Sequence, residues 1–314
     1  MKKQAIFLMI CALIVLCLTT TTTKAQTVDD AIMMNKKQWC NGVTYMHSSW
    51  NEYWEGTLKR ENLNLGTVTT QSLMLMTNYG ITDKLNVLVN VPYVWTDASA
   101  GTLHGEKGFQ DIEVDAKYEF YKTKIGKGRL KFIGLIGFST PLTNYENDFL
   151  PMSIGLGSTN LAGRLTIDYQ NGIFFTTLSS SYVFRSDVTI DRTSYYTDQI
   201  NYSNKVDMPN QLNSNLFIGI RKAGLTAQAT VMNMYTFGGF DIRRNDMPFV
   251  SNQMNATSLG AHIKYFLPFI HNLEVIGGAD WVVDMPQLKI TGRNVGQATT
   301  YTAGLFYVLS LKKK

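Results

Sequence analysis

In the stretch "TYMHSSWN", His47, Ser49 and Asn51 recur at two-residue spacing. On an extended strand that spacing puts all three on one face. Nucleophilic catalysis needs a base within hydrogen-bond reach of a serine hydroxyl and a third group to orient the imidazole, and successive same-face side chains could supply them. A strand this rich in polar residues also produces the spacing by chance. A second set is ionic. In "FQDIEVDAKYEFY", Asp111, Glu113, Asp115, Lys117 and Glu119 alternate with Ile112, Val114, Ala116, Tyr118 and Phe120, a ladder of charge suited to attracting or repelling ions. The four histidines His47, His104, His262 and His271 are scattered without metal-ligand spacing, and no glycine-rich phosphate loop or nucleotide motif is visible. No cofactor and no metal are expected.

The elements that must carry these residues are strands. The same two-residue period predicts twelve of them, at 38–52, 67–80, 84–97, 109–122, 129–141, 157–170, 172–186, 211–222, 224–237, 256–267, 273–285 and 298–311. Short connections ("GITDK", "KIGKGR", "QNG", "KAG", "PFIHN") alternate with long polar ones near 53–66, 98–108, 142–156, 187–210, 238–255 and 286–297. A soluble sandwich has no reason to sort its connections by length. A bilayer does, because only a closed barrel satisfies every strand's backbone in lipid, with short turns on the periplasmic side and long loops outside. The fold class expected is all-β, a transmembrane antiparallel barrel in the outer membrane of a Gram-negative cell. An even strand number returns both ends to the periplasm.

Lys2 and Lys3 precede an apolar run from Ala5 to Leu18, then a threonine tract and "KAQ". This pattern is that of a secretory signal peptide cleaved after Ala25, and the run is shorter than the ~20 residues of a spanning helix. The expected organisation is a removed signal at 1–25, a short periplasmic segment at 26–37 and the barrel at 38–314. Segment 26–37 is too short for a large plug domain, but a short tail could enter the lumen. Cleavage removes Lys2, Lys3 and Lys24 and no acid, so the net charge falls from +5 to +2. The basic balance therefore implies no nucleic-acid partner. Cys40 would remain as the one cysteine, which reads as a buried small side chain.

On "YGITDKLNVLVNVPYVW" the apolar side, Leu85, Val87, Val89, Val91, Tyr93 and Trp95, is assigned to lipid, and Asn86 and Asn90 to the lumen. Tyr93, Trp95, Tyr118, Phe120, Tyr169, Tyr265, Trp281 and Tyr307 read as aromatic girdles at the membrane interfaces. The more polar faces bring Asp111, Glu113, Asp115, Lys117, Glu119, Lys131, Arg164, Asp168, Arg185, Arg221, His262, Lys264, Glu274 and Asp280 inward. Two accounts of these charges stand side by side. They pair across the barrel and stabilise it, or an acidic wall facing basic strands polarises a path. In the second account Asp111, Glu113, Asp115, Lys117, Glu119, Arg164, Asp168, Arg185, Arg221 and Lys264 set selectivity.

The residues Tyr79, Gly80, Thr82, Asp83 and Pro92, followed by Gly108, Asp111, Ala116, Lys117 and Tyr118, resemble a broad family of outer-membrane barrel transporters named for the meta-pathway of phenol degradation. The resemblance covers about 67–122 and is general barrel texture elsewhere. It implies a passive outer-membrane channel or transporter for small, hydrophobic or aromatic solutes, with lipid and solute as partners. It does not name phenol as the cargo, and a barrel of this size can work alone. A final strand of alternating apolar residues is similar to the assembly signal of outer-membrane proteins, except that it ends on three lysines. The His47, Ser49 and Asn51 spacing is similar in part to outer-membrane phospholipases, which take their asparagine from another strand. A further alternative is a structural or adhesive barrel binding partners through long loops such as "RTSYYTDQINYSNKVDMPNQ".

Overall fold

The computed structural model describes residues 26–310 except Asn245 and His271; the expected signal peptide and the three terminal lysines lie outside the described residues. Twelve long antiparallel strands form one sheet: β1 (Gln38–Trp50), β2 (Val68–Gly80), β3 (Leu85–Ala98), β4 (Asp111–Ile125), β5 (Gly128–Pro141), β6 (Asn160–Asn171), β7 (Phe174–Arg185), β8 (Asn210–Lys222), β9 (Leu225–Phe237), β10 (Asn255–Phe266), β11 (Leu273–Val282) and β12 (Thr299–Ser310). Each pairs with its chain neighbours, and β1 pairs with β12 from Gln38 opposite Ser310 to Ser49 opposite Thr299, which closes the barrel. All twelve predicted strands are present, with ends displaced by three residues at most.

The period-2 reading of faces holds because each face meets a different solvent. On β3, Asn86, Leu88, Asn90, Val94 and Thr96 are buried inside, while Leu85, Val87, Val89, Val91, Tyr93 and Trp95 alternate with them on the outside. On β4, Asp115, Lys117 and Glu119 are buried and Val114, Tyr118 and Phe120 are exposed. Of the expected girdle residues, Tyr118, Phe120, Tyr169 and Tyr307 are exposed toward the turn end and Trp281 toward the loop end, while Tyr93, Trp95 and Tyr265 are half-buried; Trp39 and Tyr79 join the first group and Phe138, Phe184 and Phe237 the second. Tight turns close the periplasmic end, with Gly126 and Gly172 at positive φ (57° and 59°), where a side chain would be strained.

Two departures from a regular barrel bear on the lumen. Pro92, which has no N–H for a ladder, sits where β3 parts from β4. Their direct pairing runs from Leu85 opposite Tyr118 to Asn90 opposite Glu113, and beyond it Tyr93 to Trp95 pair with a short strand, Lys107–Phe109. The second is the roof. The long connections read as polar loops, yet Val188, Ile190, Val206, Met208 and Val250 are buried together with Leu150, Leu156, Tyr195 and Phe249 packed against them. Leu65, Val68 and Met152 form another cluster with Trp50 and Phe149. A hairpin of Glu52–Glu55 with Leu58–Glu61 is tied to loop 283–298 by the Trp54 N–H donating to the Val295 carbonyl at 2.9 Å.

Candidate functional site

The lumen is built around the segment between residue 26 and β1. Lys37 donates its N–H to the Gly80 carbonyl at 2.8 Å, and the chain before it turns inward. Gly80 permits this turn, since a Cβ there would collide with the Asn35 carbonyl. The segment expected as a short periplasmic piece is thus packed among inward side chains at the turn end. Asn78 donates to the Gln26 carbonyl at 2.5 Å. Asn86 accepts from Met34 N–H at 3.2 Å and donates to its carbonyl at 3.1 Å. Met34 is buried with Cys40, Met76, Phe266, Phe306 and Val308, which gives the tail an apolar footing as well as a polar one.

Charge completes the attachment. Lys117, only 1% exposed, donates to the carbonyls of Thr27 (2.9 Å) and Asp30 (2.6 Å) and pairs with the Asp30 carboxylate at 3.2 Å. Lys264 reaches the other Asp30 oxygen at 2.8 Å. Arg164 forms an ion pair with Asp29, which also accepts from Asn215 at 3.3 Å. Burial drives the Asp30 carboxyl upward, but the charges of Lys264 and Lys117, with hydrogen bonds from Lys264 and the Ile32 N–H, outweigh it and hold the group well below the usual carboxylate range.

The remaining predicted residues fall into separate places. Glu119 pairs with Lys131 at 3.1 Å. Asp168 accepts from Thr177 at 2.6 Å and lies 3.5 Å from Arg221, whose guanidinium stacks 4.0 Å from the Phe175 ring centroid. His262 meets Asp280 at 2.9 Å, and Glu274 is buried. Asp111 accepts from Tyr145 at 2.6 Å near the loops, and Glu113 from Asn90 at 3.0 Å. Asp115 is buried with both carboxylate oxygens lacking a hydrogen bond, against the bare face of Gly137. Arg185 stands at the loop rim, donating to the Pro209 carbonyl at 3.4 Å and to Gln211. His47 and Ser49 share the outward face with Tyr45 and Val43, and among the described residues no hydrogen bond joins His47 to Ser49 or Asn51. Sequence reasoning missed Asp29 and Asp30. The available signal was two adjacent acids just ahead of a barrel whose inward faces carry several lysines and arginines.

Above the segment lies a cavity of about 460 Å³. Thr27, Val28, Asp29 and Asp30 border it, and its wall is divided between Met74, Met76, Phe175, Phe217 and Phe306 and the polar Glu113, Arg164, His262 and Lys264.

Comparison with solved structures matches an outer membrane channel from Pseudomonas putida F1 at a TM-score of 0.67 and 12% identity, over 91% of this chain and 100% of that one. The NanC porin aligns at a TM-score of 0.44 and 9% identity, over 84% of this chain and 98% of that one. The TodX monoaromatic hydrocarbon channel aligns at 0.44 and 9%, over 89% and 91%. No protein-family model matches the sequence, and no curated protein does. Closed strand pairing, an outward apolar belt between aromatic girdles and the fold shared with the Pseudomonas channel make this chain a twelve-stranded β-barrel of the Gram-negative outer membrane.

Proposed function

We propose that the barrel is a passive outer-membrane channel for small solutes that carry an apolar part, aromatic compounds among them, and that its N-terminal segment closes the periplasmic end at rest. The observation that carries this reading is the lumenal cavity of about 460 Å³, with methionine and phenylalanine on one part of its wall and ionic groups on the other. Pockets that hold small molecules have this size and combine an apolar lining with a few fixed polar groups. The resemblance of residues 67–122 to the phenol-degradation transporters, and the fold shared with the Pseudomonas channel, support the same reading. Asp111, Glu113 and Asp115, inward on β4 and paired with no basic side chain in the described residues, are proposed to set ion selectivity once the path is open. Lys117, Arg164 and Lys264 are proposed to latch the segment.

The test is conductance of the chain from Gln26 onward, refolded in a planar bilayer, with and without residues 26–35. Larger and more frequent steps from the shortened protein are expected. Silence from both forms, each shown to be folded, would overturn the channel reading.

A further inference from the structure

A second cavity, of about 290 Å³, lies in the extracellular roof, away from the lumenal one. Its wall comes from four places in the chain: Trp50 at the end of β1, Leu150 and Leu156 from the loop after β5, Phe249 and Val250 from the loop after β9, and Val295 from the loop after β11. These are the side chains and neighbours of the roof's own apolar clusters. The pocket is partly open to solvent, and its walls are the same side chains that pack the roof. Water in so apolar a pocket is held weakly where few polar partners await it.

Those partners are already engaged. The Asn252 side chain accepts from the Phe249 N–H at 2.6 Å and donates to the Phe240 carbonyl at 3.1 Å. Asn294 accepts from the N–H groups of Gly56 (2.8 Å) and Ile242 (3.0 Å), and donates to Asp241 (2.8 Å) and the Gln253 carbonyl (2.6 Å). What remains is neutral, the Trp50 indole and the Tyr53 hydroxyl, and among the described residues the lining has no charged group. The aromatic walls are braced from behind. Phe249 stacks on Tyr195 with ring centroids 5.4 Å apart, and Trp50 lies so close over Gly296 that a Cβ there would overlap the indole.

We propose that this roof cavity is a binding site for an uncharged aromatic molecule of one or two rings, distinct from the lumen. An apolar cavity of ~150 Å³ takes up benzene; about twice that volume suits two fused rings. A carboxylate would have to shed its water against walls with no charged group to receive it.

The test is equilibrium binding to the refolded chain from Gln26 onward in lipid nanodiscs, with empty nanodiscs as the baseline and naphthalene and 2-naphthoate as probes. A saturable naphthalene component assigned to the roof by its loss in the filling variants is expected beside any lumenal binding, with 2-naphthoate at least tenfold weaker in that component. Leu156→Trp and, from a different loop, Val295→Phe each fill the cavity and should weaken naphthalene at least tenfold. Met74→Trp, which narrows the lumenal cavity, should leave it unchanged. The absence of saturable binding, equal affinity for the carboxylate, indifference to both filling variants in folded protein, or loss through Met74→Trp instead would each overturn the proposal. Conductance is measured separately, so failure here leaves the channel reading standing, and the reverse also holds.

Discussion

Replacing Asp30 by asparagine removes one negative charge and leaves two ammonium groups facing each other inside the barrel. Lys117 and Lys264 both reach that carboxylate, at 3.2 and 2.8 Å, and its side chain is 11% exposed. Breaking a buried ion pair by removing one partner costs about 3–5 kcal/mol. The low end applies, because Lys117 keeps its two carbonyl acceptors and the neighbouring cavity admits water. A loss of about 3 kcal/mol is a shift of about 100-fold in the equilibrium between docked and released segment. The assay is labelling of Val28→Cys, in a Cys40→Ser background, by a membrane-impermeant maleimide. Asp30→Asn should react about 100-fold faster than its parent, and single-channel records should show more open time in the same proportion. Labelling and conductance unchanged in a folded Asp30→Asn protein would refute the claim that this carboxylate holds the segment.

Other expectations follow from the same geometry. Because the Asp30 carboxyl is held below its ordinary range, the stabilisation it contributes is present at and above that range and fades only as the pH falls beneath it; protection of Val28→Cys should therefore persist at pH 4, and release there would contradict the assignment. Neutralising Asp111, Glu113 and Asp115 together should move the zero-current potential in a salt gradient toward anion preference, and an unmoved potential would remove them from the conduction path. Gly42→Ala places a methyl group into the Phe306 ring, an overpacking that should cost about 1–3 kcal/mol in urea unfolding. Asn294→Ala strands the N–H groups of Gly56 and Ile242 at about 1–3 kcal/mol each, and should speed protease nicking of the loops after β9 and β11 while leaving the barrel strands protected.

The strands and their faces could be read from the sequence because lipid outside and a polar lumen inside impose one signal along every crossing. Asp111 to Glu119 on β4 alternate without a break, and on β3 Asn86 and Asn90 mark the inner face although Leu88 and Val94 share it. Segment 26–37 was open in the sequence to entering the lumen, but its anchorage was not legible, since Asp29 and Asp30 meet partners on β4, β6 and β10 that lie far along the chain and share no local pattern with them. Nor was the roof. Val188, Ile190, Val206 and Met208 stand in a stretch crowded with serine, asparagine, aspartate and tyrosine, and only the fold shows that they close on Leu150 and Val250. The inward list named Lys117, Arg164 and Lys264, which meet the segment, and also Arg185, which shares the inward face of β7 but stands at its loop rim.

The seam between β1 and β12 carries a consequence for the order of assembly. It joins residues at opposite ends of the described chain, the most distant pairing in the sheet and so the one whose closure entropy is heaviest. The segment that fills the periplasmic mouth leads directly into β1 and is tied to Gly80 where β1 begins. Once the seam has zipped, the segment is surrounded by a continuous wall. It can then leave or return only through the periplasmic mouth, and an affinity tag joined ahead of Gln26 would have to share that space or draw the segment out of it.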